Sequence, residues 1–156
     1  PVAILSYGHI YGNVMKAVEL LADDGIDAAV INARFVKPLD LELIRETAER
    51  YPVLVSVEEG TEVGGFGTAV NEALIQNKID SRCLIIGVPD HFIEHADQAS
   101  QQDEAGLSPE KIAQTVREAV ADFKQAVASG KQRGSRSTEE GFSSSARTES
   151  IEAQKA

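Results

Sequence analysis

One cysteine in 156 residues, Cys83 within an apolar run, leaves no partner for an intramolecular disulfide, which fits a reducing compartment. It reads as a small buried side chain and not as a nucleophile. Basic residues are scarce: 15 Lys and Arg face 25 Asp and Glu, a net charge of -10. Without a basic excess there is nothing to displace counterions from phosphates, so sequence-independent nucleic-acid binding is excluded as a working reading. No apolar run approaches the roughly 20 residues of a membrane span. GxxxxGK is missing, no Ser, Cys or Lys has a recognisable base beside it, and no internal repeat is visible. From these residues alone the chain lacks a complete active site, with no catalytic residue, no bound cofactor and no metal. It enters an apolar strand straight after Pro1, with neither an initiator methionine nor a signal peptide. It is therefore expected to be a piece of a longer, soluble, cytoplasmic protein.

What is present is enough apolar material, 42% of the residues, for one domain with a real core. Val2 to Ser6 is the first strand, followed by a turn through Gly8 and Gly12. A helix capped by Asn13 carries the stripe Val14, Ala17, Val18 and Leu21, and Gly25 ends it. Ile26 to Asn32 is the second strand. Pro38 bars helix, Asp40 caps the next one, and Leu41, Ile44, Ala48 and Tyr51 give its apolar face up to Pro52. Val53 to Val57 is a third, β-branched strand of the kind buried on both faces of a parallel sheet. Glu58 and Glu59 mark its end. A loop rich in glycine (Gly60, Gly64, Gly65, Gly67) leads to a helix capped by Thr68, with Val70, Ala73 and Leu74 inside. Cys83 to Ile86 is the fourth strand. Residues 91–106 defy assignment, and Ser108 with Pro109 opens a long last helix striped by Ile112, Val116, Val120, Phe123 and Val127. Alternating β and α units imply an α/β fold, a three-layer α/β/α sandwich on a mainly parallel sheet of four or five strands. The domain is assigned to residues 1–128. The polar stretch 129–156, net +1, is expected to be a disordered tail, which leaves -11 on the body.

Binding in open α/β sheets occurs at the carboxyl ends of strands, so the glycine loop is the first place to look for function. Gly65-Phe66-Gly67 has the position of a dinucleotide turn, but Val70 stands where its third glycine would be, and Glu58, Glu59 and Glu62 oppose a phosphate. Close backbone packing against a neighbouring domain or subunit is the better account of these glycines. Glu58 and Glu59, adjacent on a strand, point to opposite faces, which disfavours an acid/base pair. One of them is expected to turn inward and bond loop amides. His91 and His95 have a helical metal spacing, yet no third strong ligand is near and Pro89 argues for a loop.

Four segments carry a resemblance: Ala33-Arg34-Phe35-Val36-Lys37-Pro38-Leu39-Asp40; Val57-Glu58-Glu59-Gly60 with Gly64-Gly65-Phe66-Gly67-Thr68-Ala69-Val70; Gly87-Val88-Pro89-Asp90-His91-Phe92-Ile93; and Gly106-Leu107. In this order and spacing they resemble the C-terminal domain of the 1-deoxy-D-xylulose-5-phosphate synthases, within the transketolase C-terminal domain family. Those enzymes condense pyruvate with glyceraldehyde 3-phosphate for isoprenoid (terpenoid), thiamine and pyridoxal synthesis, using thiamine diphosphate and Mg2+. The resemblance puts cofactor, metal and catalytic residues in the two preceding domains of the homodimeric enzyme, which is cytoplasmic or, in a eukaryote, in the plastid. It implies an assembly role here: packing on the N-terminal and central domains and across the homodimer, through a contact loop of Glu58, Glu59, Gly64, Gly65 and Gly67 with Arg34, Pro38 and Asp40. On that reading Gly65→Val harms assembly more than the isolated fold. It also implies that the family's domain begins before Pro1, with an additional edge strand expected there. Two alternatives remain open: a free-standing module for a small ligand or protein, and the C-terminal domain of a related two-subunit thiamine enzyme.

Overall fold

The structure, a computed structural model, describes residues 1–130; most of the expected tail lies outside the described residues. Four strands, β1 (Val2–Tyr7), β2 (Ala28–Ala33), β3 (Val53–Thr61) and β4 (Cys83–Val88), alternate with α1 (Tyr11–Asp23), α2 (Leu41–Arg50) and α3 (Phe66–Gln76). A short α4 (Gln98–Glu104) and the long α5 (Pro109–Ala128) follow. All pairings are parallel, in the order β2-β1-β3-β4, so the expected parallel α/β architecture holds.

Side-chain alternation along the strands builds two cores. Val2, Ile4, Val53, Val55 and Val57 face α1 and α5, meeting Val14, Ala17, Leu21, Ile112 and Val116. Ala3, Leu5, Leu54 and Cys83 face α2 and α3, meeting Ile44, Phe66, Val70 and Leu74. This is why the strands read as unbroken apolar runs. It also sets the geometry of the carboxyl edge. The connection leaving β1 goes to α1 on one face, and the one leaving its neighbour β3 goes to α3 on the other. Their divergence is the topological switch point, where such sheets open a crevice.

Several local expectations give way to tertiary contacts. Gly25, at φ +71°, ends α1, and Ile26 N bonds back to Leu21 O at 2.9 Å, so Ile26 and Asp27 belong to the turn and β2 starts at Ala28. Ile10, not Asn13, stands at the N-cap of α1 and makes no side-chain cap bond. The Asn13 amide instead donates to Leu107 O at 2.9 Å and Gln102 Oε1 at 3.1 Å, fastening α1 to α4 and to the segment after it. Asp40 does cap α2, accepting from Leu43 N at 3.0 Å. Leu41 is exposed and Thr47 takes a buried place beside Ile44, its hydroxyl donating to Leu43 O. β3 runs on past Val57 to Thr61, with a break in its ladder to β4 between those two residues. Ser108 is the N-cap of α5 by backbone only, because its hydroxyl donates to Asp103 Oδ1 at 2.8 Å.

Candidate functional site

The irregular end of β3 aims two successive carboxylates at opposite sides of the carboxyl edge. Glu58 turns inward, as expected of one of the pair, and is only 2% exposed. Its Oε2 accepts from Phe66 N and its Oε1 from Gly67 N, each at 2.8 Å. These are the first two amides of α3, so a charged side chain eight residues upstream satisfies orphan donors and meets the positive end of the helix dipole. The cap predicted at Thr68 is therefore displaced. Thr68 lies within the helix and its hydroxyl closes the turn instead, accepting from Gly64 N and donating to Glu62 O, both at 3.1 Å. Gly64 sits at φ +78°, a conformation that glycine reaches without a Cβ penalty.

The same carboxylate explains two glycines. A Cβ on Gly65 would land on Thr61 O and the Glu58 carboxylate, and one on Gly67 would meet Ser56 Oγ and lie 2.8 Å from Ile85 Cγ1. Close approach inside the domain requires glycine at both, so Gly65→Val is expected to cost the isolated fold as well as any assembly. The dinucleotide geometry is closed for the same reason. The amides that would meet a pyrophosphate are already bonded to an anion.

Glu59 turns the other way. Its Oε2 accepts from His9 N at 3.0 Å, and the His9 ring Nδ1 stands 3.7 Å away. Those partners are 50 residues apart, His9 in the loop leaving β1 and Glu59 at the end of β3. The switch-point crevice is thus bridged by the chain's own carboxylate. Beyond it, Glu59, Val88, Ile93, Gln101, Gln102 and Leu107 surround a cavity of about 260 Å³.

Arg34, Pro38 and Asp40 gather on the opposite face around a second cavity of about 260 Å³, floored by Leu5, Ile31, Ile44 and Phe66. Phe35 stands at its mouth, 69% exposed. The Phe66 ring stacks on Tyr7, centroids 5.1 Å apart, and links this cavity to the Glu58 turn. The eight expected contact residues therefore divide among places with different neighbours. Arg34, Pro38 and Asp40 look outward on one face and Glu59 on the other. Gly64 is an exposed turn, and Glu58, Gly65 and Gly67 hold the interior together.

Cys83 is buried on β4, and loss of water around it pushes its thiol up to about 12, which matches an inert side chain. Asn71 clamps the same residue, donating to Cys83 O at 2.9 Å and accepting from Cys83 N at 3.0 Å. No sequence signal marked that clamp. His91 and His95 are exposed and lie outside any helix, so their spacing no longer puts two imidazoles on one face. Among the described residues no group of three or more His, Cys, Asp or Glu is arranged to hold a metal ion, and no helix is long and apolar enough to cross a membrane.

Comparison with known proteins adds a family to this geometry. The model described as "Transketolase, C-terminal domain" matches residues 1–112. The chain is 44% identical over 115 residues to a protein of Trichodesmium erythraeum (strain IMS101), covering 74% of this chain and 18% of that one. It is 45% identical over 118 residues to one of Gloeobacter violaceus (76% and 18%), and 41% identical over 117 residues to one of Aquifex aeolicus (75% and 19%). Each of these relatives is named 1-deoxy-D-xylulose-5-phosphate synthase, and the chain spans less than a fifth of their length. A solved structure described as "Split gene transketolase, inactive beta4 tetramer" superposes with a TM-score of 0.71 at 30% identity, covering 77% of this chain and 39% of that one.

Proposed function

Because the chain belongs to the transketolase C-terminal domain family, we propose that it is the C-terminal domain of a 1-deoxy-D-xylulose-5-phosphate synthase and acts in assembly. The observation that carries this reading is how the helix amides at the carboxyl edge are used. Glu58 occupies the first two amides of α3 and one Glu59 oxygen bonds the loop after β1, so the donors with which such sheets take anionic ligands are spent on internal bonds. Thiamine diphosphate does not fit here, since the one helix N-terminus beside the glycine loop already holds a carboxylate. On this proposal the cofactor, its Mg2+ and the reacting groups belong to the rest of the enzyme. The domain serves them by packing on the N-terminal and central domains and across a cytoplasmic homodimer. Outward-facing apolar side chains support contact: Phe35 is 69% exposed, Val63 67% and Phe92 fully so, on three loops of this edge.

The test is reconstitution. This chain is mixed with the separately expressed N-terminal remainder of the Gloeobacter violaceus relative, plus thiamine diphosphate, Mg2+, pyruvate and glyceraldehyde 3-phosphate. Synthase activity that appears only on mixing is the expected result. Equal activity of the N-terminal piece alone, or no complex between the two, overturns it. The split transketolase supports a second arrangement, in which such a domain sits on a separate subunit. The higher identity to the synthases favours the first.

A further inference from the structure

We infer that the cavity beyond Glu59 is a socket for one arginine side chain supplied by another domain of the same enzyme. The inference rests on the assembly reading above and names the chemistry of one contact. At about 260 Å³ the cavity falls below the roughly 300–1,000 Å³ of small-molecule pockets, which suits a single side chain. Its floor is apolar, from Val88, Ile93 and Leu107, and its polar groups are unevenly used. Glu59 spends Oε2 on His9 N, leaving Oε1 open. Gln101 spends its amide nitrogen on Glu94 O at 3.2 Å, which leaves its oxygen open. Gln102 accepts from Asn13 with its oxygen. Two open acceptors above an apolar floor call for a planar donor on an apolar stem, which is a guanidinium with its methylenes.

Charge agrees. Residues 58–62 and 88–107, which build the cavity, hold eight Asp and Glu and no Lys or Arg. The nearest lysine in sequence, Lys111, is tied to Asp103 by a 2.9 Å ion pair. The basic groups of the chain nearby are imidazoles, His9 with its Nδ1 3.7 Å from Glu59 Oε2 and the exposed His91 and His95, so a guanidinium for this site comes from elsewhere, and more than four-fifths of the polypeptide in the relatives lies outside the matched region.

The probe is ethylguanidinium chloride, with neutral N-ethylurea as its near-isostere. The ¹⁵N-labelled full chain is titrated with each and followed by the side-chain amides of Gln101 and Gln102 and the backbone amides of Val88 and Leu107. The expected result is shifts with ethylguanidinium only, lost in Glu59→Gln, a variant whose remaining carbonyl still accepts from His9 N and so preserves the fold. Equal shifts with ethylurea, or none with either probe, overturn the socket. In parallel, Glu59→Gln is expected to weaken association with the N-terminal remainder about fivefold, with the gap narrowing at high salt. Unchanged association in that variant overturns the arginine socket while the assembly reading stands. No association even of the wild-type chain overturns both.

Discussion

The turn at the end of β3, rich in glycine and carboxylates, and the loop leaving β2, which carries Arg34, Phe35, Pro38 and Asp40, do opposite jobs. At Glu58 the carboxylate is turned inward: two helix amides meet it, and two glycines exist because a methyl group has nowhere to go. From Arg34 to Asp40, Val36 and Leu39 pack on the core and Asp40 caps α2, while Arg34 and Pro38 are exposed and Phe35 stands 69% exposed above a cavity. A dense motif therefore reports either a backbone that must pack closely on itself or a surface kept for something else. Burial of the carboxylate tells the two apart.

Mutations should break that symmetry in order of size. Gly67→Val should cost the most, about 3 kcal/mol or more, because its side chain must enter space held by Ser56 and Ile85. Urea unfolding of the chain alone measures it, and near-wild-type stability would mean that the interior role is misassigned. Gly65→Val should behave the same way for the same reason. Glu58→Gln follows, at about 1–3 kcal/mol, since one of two buried N–H donors then faces an NH2 in place of an oxygen. Helix α3 should be the element that loosens, and hydrogen exchange at Phe66 and Gly67 would show it.

Asp40→Ala crosses to the outward loop and should cost only about 1 kcal/mol, the usual value of a lost N-cap. Phe35→Ser should change stability by less than about 0.5 kcal/mol, as exposed positions do, while weakening association with the N-terminal remainder severalfold. A large drop in melting temperature for Phe35→Ser would make the second loop as internal as the first. One pH effect sharpens the interior side. The Cys83 thiol is raised from 9.0 to about 12 in the fold, so the unfolded chain loses that proton first and stability should fall as pH rises from 9 toward 12. A Cys83→Ser variant should flatten this slope in alkaline unfolding curves.

The chain's own order dictated the architecture. Apolar runs of five or six residues spaced by amphipathic stretches leave a parallel sheet covered on both faces as the stable arrangement, and Gly25, Asp40 and Pro109 punctuate it where local chemistry requires. Each of those signals acts within a few residues. The partners of the polar side chains were beyond such reach. Glu59 bonds an amide 50 residues away and Asn13 a carbonyl 94 away, and Thr68 lost its cap position to a carboxylate from the preceding strand. Only tertiary packing brought these groups within 3 Å: β1 and β3 are neighbours in space and not in sequence, and α1 lies against the segment between α4 and α5. Whether Gly65 and Gly67 serve the interior or a partner was decided there too. A glycine announces that no side chain fits, and only tertiary structure reveals what is in the way.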